Sequence, residues 1–390
     1  MTSVPKRAVI VGAGIAGLAT ALRLRQIGWE PLVLERAPHP RGAGYVLNFF
    51  GLGYEAAERM GVLPGLRQRH TGVPRLDYVK PDGRRHFSVA RSTLESILDE
   101  RNLTLLRGDI ETVLYDEVRR EVEIRFGTTI DSITKDGTGV RVGLSDGATE
   151  HADLLIGADG VHSKVRQLVF GPEHRFRRDL NHIVAAIPLE TMPAGTRSGT
   201  TTTLTSTGRT LAITNLGPDR TAAFFTYGTR DPDAELAKGP RAVVDRFGDL
   251  GWAVPDLLDL VTTSDSLYFD SVCQVVTDRW SDGRVVLIGD AAWCVSLFGG
   301  YGASLAVGGA DLLATELDRA GDDITAALDT WEAKLRPDIE RLQKMGRRNT
   351  AAHAPGSRFH VFARNLVMRM VSFPPVRHLV RRHFQLDGRH

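Results

Sequence analysis

The feature that most limits what this chain can become is a glycine run near its start. In residues 6–36, KRAVIVGAGIAGLATALRLRQIGWEPLVLER, Gly12, Gly14 and Gly17 take a G-x-G-x-x-G spacing. An apolar β-like run, residues 8–11, precedes them, and a helical pattern carrying Leu18, Leu22 and Arg23 follows. A second apolar run, residues 31–34, ends in Glu35, roughly 20 positions beyond the glycines. A basic pair before an apolar stretch also fits an export signal, but the glycines interrupt the stretch where a signal needs continuity. The unit reads as β-α-β with a phosphate clamp at its first turn.

Each residue type in the clamp has a physical job. Gly12 permits the tight turn, Gly14 lets backbone approach a pyrophosphate, and Gly17 lets helix pack closely on strand. The first-turn residues Ile15 and Ala16 present backbone amides to the anion at the helix N-terminus. Glu35, followed by Arg36, is placed to accept hydrogen bonds from ribose hydroxyls. A carboxylate there disfavours a 2′-phosphate, so the resident nucleotide is expected to be FAD or NAD rather than NADP.

With 390 residues the chain has room for two or three domains. Its formal net charge of +2 gives no reason to expect a nucleic-acid partner. Local clusters such as Arg175, Arg177 and Arg178, or Arg381 and Arg382, read as solvated faces. Two cysteines, Cys273 and Cys294, are too few for a disulfide framework or a cysteine-rich zinc site. No apolar stretch reaches membrane-spanning length, so the expectation is a cytoplasmic protein without stable membrane association.

Two further segments repeat the pattern of strand, glycine and acid. Residues 153–166, DLLIGADGVHSKVR, put an apolar run before a turn containing Asp159. Residues 284–302, RVVLIGDAAWCVSLFGGYG, end a buried-strand run at Gly289-Asp290 and lead through a glycine-rich loop into a helical pattern from Ala303. Ligands of open α/β sheets sit at strand C-termini, so motifs this far apart are expected to converge on one cofactor.

In this order and at these separations the three motifs resemble the class A flavoprotein monooxygenases, the p-hydroxybenzoate hydroxylase-like family, in particular bacterial members acting on aromatic or polyketide-like compounds. The resemblance, which takes in the segment RGAGYVLNFFGLGYEAAERMGVLP at 41–64, spans nearly the whole chain. It implies an α/β fold: a Rossmann-like FAD-binding domain with an inserted, mainly antiparallel β-sheet substrate domain and a C-terminal helical segment. The expected division is 1–72, 91–170 and 271–350 for the FAD-binding domain, 73–90 and 171–270 for the substrate domain, and 351–390 for helices packed across both.

The resemblance also implies roles. Gly12, Gly14, Gly17 and Glu35 would hold the ADP half of a tightly bound FAD, and Asp290 the ribityl-pyrophosphate region. Gly300, Gly302 and Ala303 would let backbone approach the flavin ring. Asp159 is similar to the residue linked to both FAD and pyridine nucleotide, and Arg91, in RSTLESIL, stands where the family has an arginine reaching the cofactor. Only one dinucleotide fingerprint is present, so NADPH or NADH would bind transiently. The implied activity is hydroxylation or other oxygenation of an aromatic or polyketide-type small molecule with NAD(P)H and O₂, through a flavin C4a-hydroperoxide, in secondary metabolism such as antibiotic biosynthesis. No tryptophan sits in the W-x-W-x-I-P stretch of halogenase relatives.

Between residues 170 and 273 the texture turns to threonine-rich, β-branched segments broken by Gly, Pro and Asp, as expected of an antiparallel sheet. In the family this sheet roofs the flavin, which makes Phe224, Phe225 and Tyr227 candidates for an apolar substrate wall. Alternation along a strand leaves open which of them looks inward. In the C-terminal stretch Phe362, Leu366 and Met370 form a helical stripe, expected to be buried across the two domains rather than laid on a membrane.

The departures from the family pattern bear on the chemistry. Its common third motif is G-D-A-A-H-x-x-x-P-x-x-G-x-G, and here Trp293 stands at the histidine position and Leu297 at the proline position. Both are expected near the flavin. They motivate an alternative reading, a non-redox cyclase or isomerase with FAD as scaffold; an FAD-dependent reductase is a further one. No Ser-His-Asp order, metal-binding histidine cluster or HExxH stretch competes as a catalytic centre, and His182, His353 and His360 look scattered.

Overall fold

The computed structural model describes residues 5–40, 45–98, 101–217 and 220–378. Residues 7–11, one arginine followed by a continuous apolar run, form β1 (Arg7–Val11). The glycine turn leads into α1 (Ile15–Gln26), and β2 (Glu30–Glu35) returns parallel to β1, pairing Ala8 with Pro31 and Val11 with Leu34. On its other side β1 pairs in parallel with strand Leu154–Gly157, which in turn pairs with strand Val285–Leu287. Strand Glu123–Phe126 extends the far edge beyond β2. The central strands are apolar on both faces because helices cover both, the signature of a parallel sheet in the interior. All three motifs therefore end at the C-terminal edge of one sheet.

A second, seven-stranded sheet stands against it. It contains, in spatial order, strands Tyr268–Val275, Arg177–Pro188, Thr221–Gly228, Arg209–Asn215, Thr200–Ser206, Arg75–Val79 and Arg85–Val89. Every neighbouring pair is antiparallel except Arg75–Val79 with Thr200–Ser206. One face packs on helices Arg241–Phe247 and Val254–Thr263, burying Ile183, Ala185, Phe225 and Tyr227 among Phe247, Val254 and Leu257. The opposite face carries Val184, Phe224 and Val272 towards Leu297 and Phe298 of the third motif.

This alternation corrects two of the three proposed wall residues. Phe225 packs edge-on against Phe247 at 5.0 Å, and the Tyr227 hydroxyl donates to Glu235 at 2.9 Å, both on the helix-covered face. Phe224, one residue out of phase, faces the first sheet and meets the Tyr45 ring at 6.1 Å.

The 30-residue helix Ile324–His353, with Pro337 inside it, packs along helix Gly302–Ala320 and reaches the third-motif loop. Beyond it, helix Arg358–Met370 lies against the seven-stranded sheet through Met368 and the following Val371, which join Tyr78, Val89 and Ile97. The expected burial of its stripe is overturned: Phe362, Leu366 and Met370 are exposed, because the helix turns the face of Arg364, Met368 and Val371 to the protein. Residues 41–44 and 379–390, Arg381 and Arg382 among them, lie outside the described residues. Among those described, no helix is long and apolar enough to cross a membrane.

Candidate active site

The glycine turn has the geometry its spacing predicts. Gly12 adopts φ +107°, and its amide donates to Leu34 O at 2.7 Å, closing β1 onto β2. A Cβ at Gly12 would stand 2.5 Å from Ala158 O, and one at Gly17 only 1.8 Å from Gly12 O, so both positions are glycine because the protein's own backbone leaves no room. Gly14 differs. A Cβ there would meet nothing nearer than Glu111 Oε1 at 3.9 Å, and it would project into a cavity of about 510 Å³. Gly14 caps α1 without a side-chain hydrogen bond, so the amides of Ile15, Ala16 and Gly17 are left to an anion.

Gly12, Gly14, Glu35 and Arg36 line this cavity together with Asp159 and Lys164. The Glu35 carboxylate accepts from the amides of Ala13 at 2.9 Å and Ala37 at 2.8 Å, which fixes it at the strand end. Asp159 accepts from Ser163 Oγ at 2.5 Å and Lys164 N at 2.6 Å, holding the second motif's turn against the start of helix Lys164–Val169. Arg166 is wholly buried and donates to Ala291 O at 2.9 Å and Val161 O at 2.6 Å, tying the second motif to the third.

Arg107 lines the cavity as Arg36 does, and Arg91, expected to reach the cofactor, does not. Arg91 opens the short helix Arg91–Glu95, its guanidinium rests beside Gly72 and Gly199, and it lines neither cavity of the site. Arg107 opens the 12-residue helix Arg107–Val118, whose first turn is tied by Asp109 accepting from Leu106 N at 3.1 Å. It pairs with Glu111 at 2.7 Å; burial opposes its charge, but Glu111 first, and then Tyr45 and Asp290, hold its guanidinium above the usual arginine range.

A smaller cavity of about 100 Å³ adjoins the first past the turn at residues 160–162. Asp290, Leu297, Gly300, Gly302 and Ala303 line it from the third motif, with Tyr45, Tyr268, Asp270 and Cys294 around them. Asp290 is open to the cavity and enclosed elsewhere; burial pushes its carboxyl up, and Arg107 opposes that. Burial likewise pushes the Tyr45 phenol up to about 12. The loop above is strained: Ser296, a non-glycine residue, holds φ +93° while its hydroxyl accepts from Phe298 N at 3.2 Å.

Two buried glutamines keep that loop in place. Gln343 donates to Val275 O at 2.7 Å and Cys294 O at 3.3 Å, and Gln274 donates to Val295 O at 2.9 Å and Gln343 O at 2.8 Å. Polar residues on the long helix and the last sheet strand carry no family motif, and sequence reading passed them over. It also missed that His182 and His353 come together: His353 stacks on Phe298 at 4.0 Å, and His182 meets the same ring edge-on at 5.4 Å.

Trp293 lines neither cavity. It is buried against Trp280 at 4.6 Å and Trp331 at 5.6 Å, filling the core between the parallel sheet and the long helix, whereas Leu297 does line the smaller cavity. Among the described residues no group of His, Cys, Asp and Glu could hold a metal ion.

The donor set fits FAD: open helix amides and a lysine for a pyrophosphate, a carboxylate at the strand end for a ribose, and a glycine whose missing Cβ leaves space the protein does not use. A family model described as FAD binding domain matches residues 6–344, and the chain belongs to that family. It is an FAD-dependent oxidoreductase of the flavin monooxygenase class. It is 33% identical over 362 residues to the uncharacterised protein Rv1260 of Mycobacterium tuberculosis, covering 90% of this chain and 95% of that one. It is 31% identical over 365 residues to the FAD-dependent monooxygenase asL6 of Sarocladium schorii, covering 86% of each. Among solved structures it is similar to the tetracycline destructase Tet(51), with a TM-score of 0.80 and 28% identity over 95% of this chain and 98% of that one.

Proposed function

We propose that the chain oxygenates an aromatic or polyketide-type small molecule at the expense of NAD(P)H and O₂. The observation that carries this reading is the pair of adjoining cavities, which runs from the glycine cradle to a loop under the free face of the seven-stranded sheet. FAD, when bound, supplies the redox chemistry, accepting a hydride and passing electrons to oxygen. Everything else falls to the protein. The α1 amides and Lys164 would hold the pyrophosphate, Glu35 the ribose, and Arg107 with Asp290 the segment leading to the ring. Gly300 and Gly302, which line the smaller cavity, would leave backbone open to the ring.

Val184, Phe224, Val272 and Leu297 form the apolar boundary that would exclude water from the reacting centre. Tyr45, with its phenol pushed up to about 12, keeps its proton on Oη near neutral pH and acts as a donor there, not as a base. We assign the substrate part to 73–90 and 171–275, since the last strand of the seven-stranded sheet runs to Val275. Support for a ring-system substrate comes from the likeness to a tetracycline destructase. The cyclase alternative drew on Trp293 and Leu297, and the burial of Trp293 in the core removes half of that motive.

The test is an anaerobic mix of FAD-loaded protein with NADH or NADPH, followed by air and a panel of aromatic and polyketide compounds. The reading expects substrate-accelerated bleaching of the visible flavin band and a product heavier by one oxygen atom. An unbleached band with either nucleotide, or a product of unchanged mass, overturns it.

A further inference from the structure

The Arg358–Met370 helix carries a second binding surface, unrelated to the flavin site. Among the described residues eleven large hydrophobic side chains are exposed, and six of them fall between Phe359 and Phe373. They are Phe359, Phe362, Leu366, Val367, Met370 and Phe373, and the three phenylalanines are 72%, 64% and 61% exposed. Five of the six recur at steps of three and four residues, which puts them in one stripe down the helix and into the turn beyond it. The opposite side is taken: Arg364 donates to Thr205 Oγ1 and covers the Tyr78 ring, and Met368 and Val371 pack on Tyr78, Val89 and Ile97. The helix is thus anchored to the sheet with its apolar stripe turned out.

Charge selects the occupant. Residues 358–378 contain four arginines and no Asp or Glu; Arg364 and Arg369 engage the sheet, Arg369 through His86 O and the Phe87 ring, which leaves Arg358 and Arg377 at the two ends of the stripe. Two copies meeting stripe to stripe would bring Arg358 and Arg377 of each together with no acid of the same segment to meet them. A bilayer bearing anionic headgroups satisfies both parts of the surface, taking the phenylalanines at the acyl boundary and Arg358 and Arg377 at the phosphates. We propose that this helix docks the protein on anionic phospholipid membranes, lying in the interface without crossing it. The absence of a spanning stretch stands among the described residues, but the ground for setting aside attachment through this helix was a buried stripe, which the structure does not have.

The experiment is cosedimentation of the full-length, FAD-loaded protein with phosphatidylcholine vesicles, with and without phosphatidylglycerol, at low and raised salt. The expected result is binding to the anionic vesicles that weakens roughly tenfold or more without phosphatidylglycerol or at raised salt. Phe362→Glu with Leu366→Glu should abolish it, and Arg358→Glu with Arg377→Glu should weaken it by a similar factor, while both variants keep the wild-type flavin spectrum and elution volume. Three results overturn the proposal: no sedimentation with anionic vesicles, binding that survives Phe362→Glu with Leu366→Glu, or a concentration-dependent dimer that those substitutions dissociate. The last would make the stripe an interface between copies, and capture by an acidic protein without vesicle binding would count equally against it.

Discussion

Gly14 and Gly17 belong to one fingerprint and are glycine for different reasons, which substitution can separate. At Gly17 a methyl group would collide with Gly12 O at 1.8 Å, so Gly17→Ala should destabilise the fold itself by about 1–3 kcal/mol or more, read from urea unfolding of the apoprotein. At Gly14 the protein leaves 3.9 Å, and the extended N-cap backbone accepts a side chain. Gly14→Val should therefore keep apoprotein stability within about 0.5 kcal/mol and lose the yellow colour on purification. Arg107 and Arg91 form a second such pair. Removing Arg107 should weaken FAD retention by about 1.5–3 kcal/mol in a flavin titration, the worth of a hydrogen bond from a charged group, whereas Arg91→Ala should leave it unchanged. The sequence contains the R-x-x-L-x-x-x-L spacing at Arg91, Leu94 and Leu98 and again, with isoleucine, at Arg107, Ile110 and Leu114. Reading picked the first. The signal for the second lay in its surroundings: a strand, Leu103–Leu106, feeds it, and its helix runs 12 residues, against five for the other.

Elements were legible where a period and a burial pattern agreed. The three motif strands and the threonine-rich sheet follow from apolar runs and alternation, and the structure forms both. What alternation cannot give is phase, since a strand shifted by one residue exchanges its faces. That is why Phe224 stood level with Phe225 and Tyr227 until the pairing of Ala186 with Phe224 set the register. The same limit applies to helix Arg358–Met370: its stripe was visible, but a stripe tells which residues share a face and not whether that face is covered. Trp293 is a subtler case, because a motif position names a place along the backbone while the side chain there turned into the Trp280 and Trp331 cluster. The glutamine clamp was invisible, being two isolated polar residues on unrelated elements. Gln343→Met should take the side-chain donor from the buried carbonyl of Val275, while Cys294 O keeps the Val275 amide at 3.1 Å, and cost about 1–3 kcal/mol in denaturant unfolding. Its flavin spectrum should shift as well, since the loop held by the clamp borders the smaller cavity.

At the scale of the molecule, two histidines set opposing limbs of a pH–stability curve. His162 sits between Asp270, at 3.3 Å, and Glu173, at 3.1 Å, and joins the second-motif turn to the substrate sheet. The hydrogen bond to Asp270, with the two carboxylate charges, raises it from 6.5 to about 9 against the cost of burial. A raised folded value means its contribution is complete below about pH 6.5 and is lost as pH climbs through about 9. His353 runs the other way. Burial lowers it from 6.5 to about 4, so between those values the unfolded chain takes up the proton and stability falls as pH falls. Urea midpoints across pH should peak near 6.5, with His162→Gln flattening the alkaline limb and His353→Leu the acid one.

The parallel sheet is threaded out of order. Its centre, β1, comes first in the chain, yet its neighbour on one side is made at residues 154–157, and the strand beyond that only at residues 285–287. The loop that would floor the ring follows at residues 296–303. A chain cut short just before residue 285 has the glycine fingerprint and the residues of the larger cavity but lacks Asp290, Leu297, Gly300, Gly302 and Ala303, which line the smaller one. Chains truncated there should therefore purify pale, read from their visible absorbance, and the clamp residue Gln343 that holds the loop is made later still.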